Sequence, residues 1–265
     1  GVGGGGYPRP VHPPERVAEV LGLVAAGWNN LQISRATGIP YSTVRRWRCG
    51  ELPSSARPRE GAGGWHGRSP PCPICQEGSL DEAAYAYLLG LYLGDGHIVR
   101  QPRTTVLCIV QDARCPDLIR LAARTLERVR GGRTRAGAVP KTGCVEVCAW
   151  WKHWPCLFPQ HGPGRKHERA IVLRDWQRAL VRRYPRQLLR GLLHSDGCRT
   201  VNRVQRRRYA YPRYFFRNRS EDILRIFEET CDAVGIRHRR SRPDTVAVSR
   251  RDDVATLDRF VGPKS

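Results

Sequence analysis

The 265-residue chain has no methionine, only four lysines (Lys141, Lys152, Lys166 and Lys264), and no long apolar run. Each shortage excludes something. Methionine is missing even from position 1, so the sequence is expected to begin at a misread start or within a longer gene. No apolar stretch approaches the roughly 18–20 residues that span a bilayer. The Gly-rich opening, residues 1–10, lacks the basic-then-apolar pattern of a secretory signal. No Gly cluster follows a strand and opens a helix, which excludes a nucleotide loop or Rossmann unit, and no small-molecule cofactor is expected. Nothing in the sequence is arranged for nucleophilic catalysis. The 10 cysteines are scattered, and a chain of this size needs no staples, so mostly reduced thiols are expected.

What the chain has in excess is positive charge. Its 46 Lys and Arg against 24 Asp and Glu give a formal net charge of +22. The dominance of Arg over Lys fits GC-rich coding, but coding bias does not explain an excess of one sign. Such a charge predicts attraction to a polyanion and salt-sensitive binding. A membrane surface is the competing polyanion, but no basic amphipathic helix is present to lie on one.

Residues 1–13 are Gly- and Pro-rich and read as a disordered tail. Residues 14–48 read as three short helices. The first carries Val17, Val20, Leu21 and Val24 as a stripe and stops at Gly27. The second, over 30–37, turns Ile33 and Ala36 inward. A turn at Gly38-Ile39 leads to the third, over 41–48, with Ser42 in the cap region and Val44 and Trp47 inward. Residues 49–80 read as an interdomain linker rich in Pro, Gly, Ser and Arg, and containing Cys72-Pro-Ile-Cys75. Two similar halves follow, 81–152 and 178–265, separated by a basic bridge over 153–177 with aromatic anchors Trp154, Phe158 and Trp176. Strands are expected near 104–111, 134–139 and 144–150 in the first half, and near 199–206 and 209–217 in the second. A helix over 116–129 and one capped by Ser220 and running to 234 separate them. A hairpin around Pro243-Asp244 and a closing helix over 252–260 complete the second half. The strand before Thr104 is the least distinct.

The halves open on near-copies of one segment: Leu88-Leu-Gly-Leu-Tyr-Leu-Gly-Asp-Gly96 and Leu189-Arg-Gly-Leu-Leu-His-Ser-Asp-Gly197. Gly90 and Gly94 share one helix face, as do Gly191 and Ser195. Small residues four apart let two helix backbones approach closely. Gly96 and Gly197 suit a left-handed residue just past a helix end. Asp95 and Asp196 then sit at helix C-termini, where the partial charge is already negative. Stability alone would not choose an anion there, and side-by-side packing would add mutual repulsion. A divalent cation, Mg²⁺ by its preference for hard oxygen, would relieve both penalties. A lone Asp-Gly after an apolar helix is usually only a turn; two such ends in matched halves are not.

The paired segments resemble the LAGLIDADG motif of homing endonucleases, in the single-chain form with two copies, over residues 82–261. The resemblance implies an α+β fold of two pseudo-symmetric αββαββα halves. Their sheets would form a saddle on double-stranded DNA, with Asp95 and Asp196 holding metal. The sixth motif position, often acidic in the family, is Leu93 in one copy and His194 in the other. By family position Gln111 and Asn218, after the second strand of each half, would place water. Lys152 and Arg250, after the fourth strand, would stabilise charge. The chain lacks the Cys or Ser start and His-Asn end of an intein and reads as a free-standing monomer, cytoplasmic and nucleoid-associated.

On one strand Arg203, Gln205 and Arg207 alternate and share a face; Arg213 and Arg217 do the same on the next. Such faces suit base edges and phosphate, the plain alternative being a solvated sheet surface. The N-terminal helices resemble a helix-turn-helix of the resolvase or repressor type, presenting Ser42, Thr43, Arg45, Arg46 and Arg48 to a groove. A bundle that merely docks on the main domain is the alternative. Cys72 and Cys75 are half a zinc site; Cys49 and His66 are badly spaced to complete it. His153, Cys156, His161 and His167 crowd the bridge in a spacing that fits no zinc template, so packing and phosphate contact are expected there. These readings converge on a metal-dependent, site-specific DNA endonuclease. The rival is a DNA-binding transcriptional regulator on the same fold that does not cut.

Overall fold

The computed structural model describes residues 12–49, 70–131, 135–204 and 209–264. The chain divides into two compact units, Gly1–Arg68 and Ser69–Ser265. No helix among the described residues is long and apolar enough to cross a membrane.

The first unit is three helices: α1 (Pro14–Ala25), α2 (Asn30–Thr37) and α3 (Tyr41–Arg48). A reciprocal cap starts α2: the Asn29 side chain accepts from the Gln32 N–H while Gln32 Oε1 accepts from the Asn29 N–H, both at 2.9 Å. Gly38 ends it at φ 68°, a conformation a side chain would strain. Val17, Val20, Ile33, Ile39, Val44 and Trp47 form the core. Two expectations are corrected. Ala36 is exposed, and Thr37, one full turn after Ile33, takes its inward place. Ser42 caps nothing: the N-cap of α3 is Pro40, which fixes the backbone without a side-chain hydrogen bond.

The second unit starts with α4 (Glu82–Asp95), β1 (Gly96–Gln101), β2 (Thr104–Asp112), α5 (Pro116–Arg130), β3 (Gly137–Lys141) and β4 (Cys144–Trp150). Through the bridge run α6 (Trp154–Leu157), a 3-10 turn at Lys166–Glu168, and α7 (Asp175–Arg183), a helix the composition had hidden. The second half is α8 (Pro185–Asp196), β5 (Gly197–Val204), β6 (Tyr209–Arg217), α9 (Glu221–Val234), β7 (Arg239–Arg242), β8 (Thr245–Val248) and α10 (Arg251–Val261). Two antiparallel four-stranded sheets result, ordered β1-β2-β4-β3 and β5-β6-β8-β7. The linker expectation is corrected at its end. Cys72 is fully buried in the core of the second unit and Leu80 packs against it, so the segment from residue 70 belongs to that unit.

The core centres on α4 and α8. Residues 84–93 of α4 are buried on all sides, as a central helix requires. Gly90 lies against the Leu188, Gly191 and Leu192 backbone, and Gly191 against that of Tyr87, Gly90 and Leu91. A Cβ on Gly90 would stand 2.6 Å from the Leu188 oxygen; one on Gly191 would overlap the Tyr87 oxygen and reach 3.0 Å from Gly90 Cα. Gly94 faces Ser195 in the next pair, so the helices run parallel and their C-termini meet.

Strands follow those ends directly. Gly96 and Gly197 are extended, at φ −92° and −86°, not left-handed as expected. Glycine is there for space: a Cβ would lie 2.5 Å from Tyr92 Cα in one case and 2.5 Å from the Leu193 oxygen in the other.

Gly191→Ala is expected to destabilise the second unit by about 2–3 kcal/mol, the scale of forced overpacking. In Gly22→Ala on α1, where nothing lies within 4 Å of the new methyl, the first unit should gain roughly 0.5–1 kcal/mol. Urea unfolding measures both; a Gly191→Ala variant as stable as the parent would mean that the backbones do not touch.

Candidate active site

Because α4 and α8 end side by side, Asp95 and Asp196 open onto one cleft of about 800 Å³. Asp196 Oδ2 lies so near the other helix that a Cβ on Gly94 would come within 2.9 Å of it. Burial and the charge of Asp196 push Asp95 up to about 6, against the pull of Lys166 and Lys264. Burial also raises Asp196, opposed by the hydrogen bond from Asn218 and by the same two lysines. Neither acid forms an ion pair with arginine among the described residues. Many other acids do: Asp81, Glu82, Asp112, Asp244, Asp253 and Asp258 each hold one.

The lysines were missed in the sequence. Lys166 Nζ donates to the carbonyls of Leu93 (3.0 Å), Gly94 (2.6 Å) and Tyr92, closing the end of α4. Lys264 Nζ donates to the carbonyls of Ser195 (2.9 Å) and Gly197 (2.6 Å), closing the end of α8. Burial lowers Lys166 to about 8, although both aspartates pull it upward. Burial likewise lowers Lys264. A compact ammonium with three rotatable donors can cap converging carbonyls; a planar guanidinium fits them poorly. The signal was legible in retrospect: a chain that otherwise uses arginine keeps lysine at four places, and two of them are here.

Gln111 and Asn218 are equivalent by register, each two residues beyond the partner of the motif glycine, Ile109 for Gly96 and Phe216 for Gly197. Their fates differ. Asn218 Nδ2 donates to Asp196 Oδ2 at 2.7 Å, while its oxygen accepts from the Ser220 N–H at 2.8 Å. Gln111 is buried and turns its amide back onto the Val110 carbonyl at 2.9 Å, making no bond to Asp95. Lys152 and Arg250 are exposed and do not line the cleft. The β2–β4 and β6–β8 registers equate Lys152 with Arg251 instead, and the lysine that lines the cleft is Lys166. The cleft wall is basic: His97, His161, Arg165, Arg169, Arg217 and Arg219.

His194 also differs from an acid in kind. Its Nδ1 accepts from Tyr87 Oη and its Nε2–H donates to the Val261 carbonyl, each at 2.8 Å. Burial, with Arg190 and Lys264 nearby, lowers it to about 4. It is a neutral tie between α4, α8 and α10 and does not face the cleft.

The sheet faces correct one grouping. Arg203 pairs with Ala210 and so shares a face with Tyr214 and Phe216, the core side. Arg213 and Arg217 point to the opposite, open face, where Arg239 joins them through its pairing with Ala247, which in turn pairs with Phe215. Gln205 and Arg207 lie outside the described residues. The first half's open face is less charged, with exposed Val99, Val139 and Trp150. Cys108 and Cys148 pair there as a disulfide across β2 and β4, an exception to the expectation of reduced thiols. In the first unit, Ser42, Arg45 and Arg46 are exposed on α3 and Thr43 is half-buried. Arg48 reaches back to Asn30 Oδ1 at 3.1 Å and the Trp28 carbonyl at 3.3 Å. Gly90, Gly94, Gly191 and Ser195 line the α4–α8 contact; Cys72 and Cys75 are brought beside His153 and Cys156.

A family model described as a Homeodomain-like domain (HTH_23) matches residues 13–50. No curated protein matches the chain. Among solved structures, the chain is similar to I-DmoI in complex with DNA and Mn, at 15% identity over 69% of this chain and 98% of that one, TM-score 0.44. It is also similar to the LAGLIDADG homing endonuclease I-GzeII in complex with its DNA target, at 9% identity over 71% and 86%, TM-score 0.42. A third is the LAGLIDADG meganuclease I-AabMI bound to uncleaved DNA, at 13% identity over 66% and 82%, TM-score 0.41.

Two pH-linked outcomes follow. Between about pH 6.5 and 4 the unfolded chain protonates His194 and the folded chain does not. Stability is therefore lost as pH falls through that window, by up to about 3 kcal/mol. His194→Gln should flatten that part of the profile. Asp95 has the opposite sign: the folded state holds its proton more tightly, so stability falls as pH rises from about 4 to 6. In EDTA at pH 8, Asp95→Asn should be more stable than the parent by about 1–2 kcal/mol, after allowance for solvent screening. The gain should shrink by pH 5. A variant no more stable than the parent at pH 8 would show that neither burial nor the charge of Asp196 disfavours the Asp95 carboxylate.

Proposed function

We propose that the chain is a site-specific double-stranded DNA endonuclease of the LAGLIDADG homing type. The observation that carries this reading is the meeting of Asp95 and Asp196, both without an arginine partner among the described residues, in one basic cleft. Their oxygens are hard donors on two rigid helix ends, and Asp95 accepts no hydrogen bond among the described residues, so the pair fits a divalent cation such as Mg²⁺. When bound, such a cation would activate a water and stabilise the leaving oxygen of a phosphodiester. The chain's own residues do the rest. Lys166 and Lys264 fix the helix ends and offset the acids' repulsion. Asn218 orients Asp196. Arg165, Arg169, Arg217 and Arg219 draw the phosphate backbone toward the acids, and Arg213 and Arg239 extend the basic surface along the second sheet. The helix-turn-helix adds sequence reading through α3. Both halves of the site come from one chain, so a monomer acting on the nucleoid in the cytoplasm suffices.

One observation favours the second reading, a regulator that binds without cutting. Two lysines already balance two carboxylates, so the acids can persist in the fold without a metal. Incubation with a randomised duplex library in Mg²⁺ separates the readings. The endonuclease cuts selected sites, and Asp95→Asn and Asp196→Asn bind those sites but do not cut. Sequence-specific binding with no cutting by the parent would select the regulator. In either case affinity should fall by about 10³ or more between 50 and 200 mM salt if six or more phosphates are neutralised; a flat salt response would exclude the basic cleft as the DNA surface.

A further inference from the structure

Two pairs of metal-ligating side chains, distant in sequence, meet on the second unit away from the acid cleft. Cys72 and Cys75 lie in the turn before α4; His153 and Cys156 lie at the start of α6, just past β4. One ligand atom from each of the four falls within 4.8 Å of every other. Cys75 Sγ is 3.4 Å from His153 Nδ1 and 4.0 Å from Cys156 Sγ, and Cys156 Sγ is 3.9 Å from His153 Nδ1. A tetrahedral zinc with bonds of about 2.3 Å to sulfur and 2.0–2.1 Å to nitrogen sets edges of about 3.8 Å between sulfurs and 3.6 Å between sulfur and nitrogen. The two sulfur–nitrogen separations bracket their edge, and the sulfur–sulfur separation is about 0.2 Å longer than its own.

The turn is shaped around its first ligand. The Cys72 carbonyl accepts from the N–H of Gln76 at 2.9 Å and of Gly78 at 3.1 Å, while Gln76 Oε1 accepts from the Cys72 N–H at 3.0 Å. Glu77 adopts φ 53°, and a Cβ on Gly78 would lie 2.7 Å from the Pro71 carbonyl carbon. On the other side, the Cys156 N–H donates to the His153 carbonyl at 3.0 Å, and the Trp154 indole N–H donates to the Ala149 carbonyl at 2.8 Å. Both ligand pairs are thus held by backbone and neighbours. No disulfide joins any of these cysteines, although one forms elsewhere in the unit.

We propose that Cys72, Cys75, His153 and Cys156 form a structural zinc site. Three soft thiolates and one imidazole fill a tetrahedron and leave no open position, the composition of a structural rather than a catalytic zinc centre. The ion fastens the segment entering α4 to the segment leaving β4, which lie 78 residues apart at Cys75 and His153. Tyr85 Oη, donating from α4 to the Leu157 carbonyl of α6 at 2.5 Å, makes a second tie at the same place. The sequence hid the site because its halves read as C-x₂-C in a linker and H-x₂-C in a bridge. The inference is independent of what the acid pair does.

The full chain, purified from zinc-supplemented cells without chelator, should carry a single equivalent of zinc by plasma mass spectrometry. Titrating its thiols with a mercurial should release that zinc to a metallochromic dye. Cys75→Ser and Cys156→Ser should lose it; Cys198→Ser, Asp95→Asn and Asp196→Asn should keep it. If the cysteine variants fail to fold, cobalt(II) exchanged into the parent should show tetrahedral d–d bands with thiolate charge transfer. Iron in place of zinc, a metal-free chain that takes up no cobalt, zinc retained by both cysteine variants, or a disulfide among the three cysteines on peptide mapping would each overturn the proposal.

Discussion

The close approach of two helix backbones governs this unit. Where Gly90 meets Gly191, no atom larger than hydrogen fits between the chains, and Gly94 meets Ser195 a turn later. Everything at the centre follows from that contact. The helix ends arrive together, so their carbonyls and their two carboxylates crowd one spot. Crowding like charges in a half-buried place is costly unless something positive is brought in. Lys166 and Lys264 do that from separate parts of the chain, one from the bridge and one from just beyond α10. The negative helix ends and the acids are treated as one electrostatic problem with one pair of cations.

That solution leaves the acids available. An arginine fork on Asp95 or Asp196 would have neutralised the charge more completely and occupied the oxygens. Instead the ammonium hydrogens are spent on carbonyls, and the one hydrogen bond that either acid accepts among the described residues is that of Asn218 on Asp196. Two of the surrounding guanidinium groups are held by other partners: Arg217 by Asp244, Arg169 by the Gly164 carbonyl. Basic side chains line the cleft, yet among the described residues no arginine pairs with either acid.

The two halves share a plan and have diverged in detail. Asn218 grips Asp196, while Gln111 at the equivalent place bonds to its own strand. Arg217 on the second open face corresponds to Val110 on the first. His194 and Leu93 occupy one motif position, and only the histidine finds polar partners, because Tyr87 and Val261 stand beside it. Two copies within one chain need not be identical, since each has its own neighbours.

Local pattern fixed a large share of the fold. The bounds of α2, α3, β4, β6 and the cap at Ser220 were readable because each depends on neighbours in sequence: capping side chains, apolar period, turn glycines. The small residues of α4 and α8, and the acids after them, were readable for a further reason, that a duplicated motif repeats the same steric requirement. The β1 strand and α7 were obscured because basic residues and a missing turn signal masked them. Face assignment failed at Arg203, since alternation within a strand says which residues agree and not which side is the core. What only the tertiary structure decided were the meetings: Lys166 and Lys264 at the helix ends, Asn218 but not Gln111 at an acid, and Cys72 and Cys75 beside His153 and Cys156. Sequence constrains what each residue can do at short range; which distant groups share a few ångströms is set by how the helices and sheets close on one another.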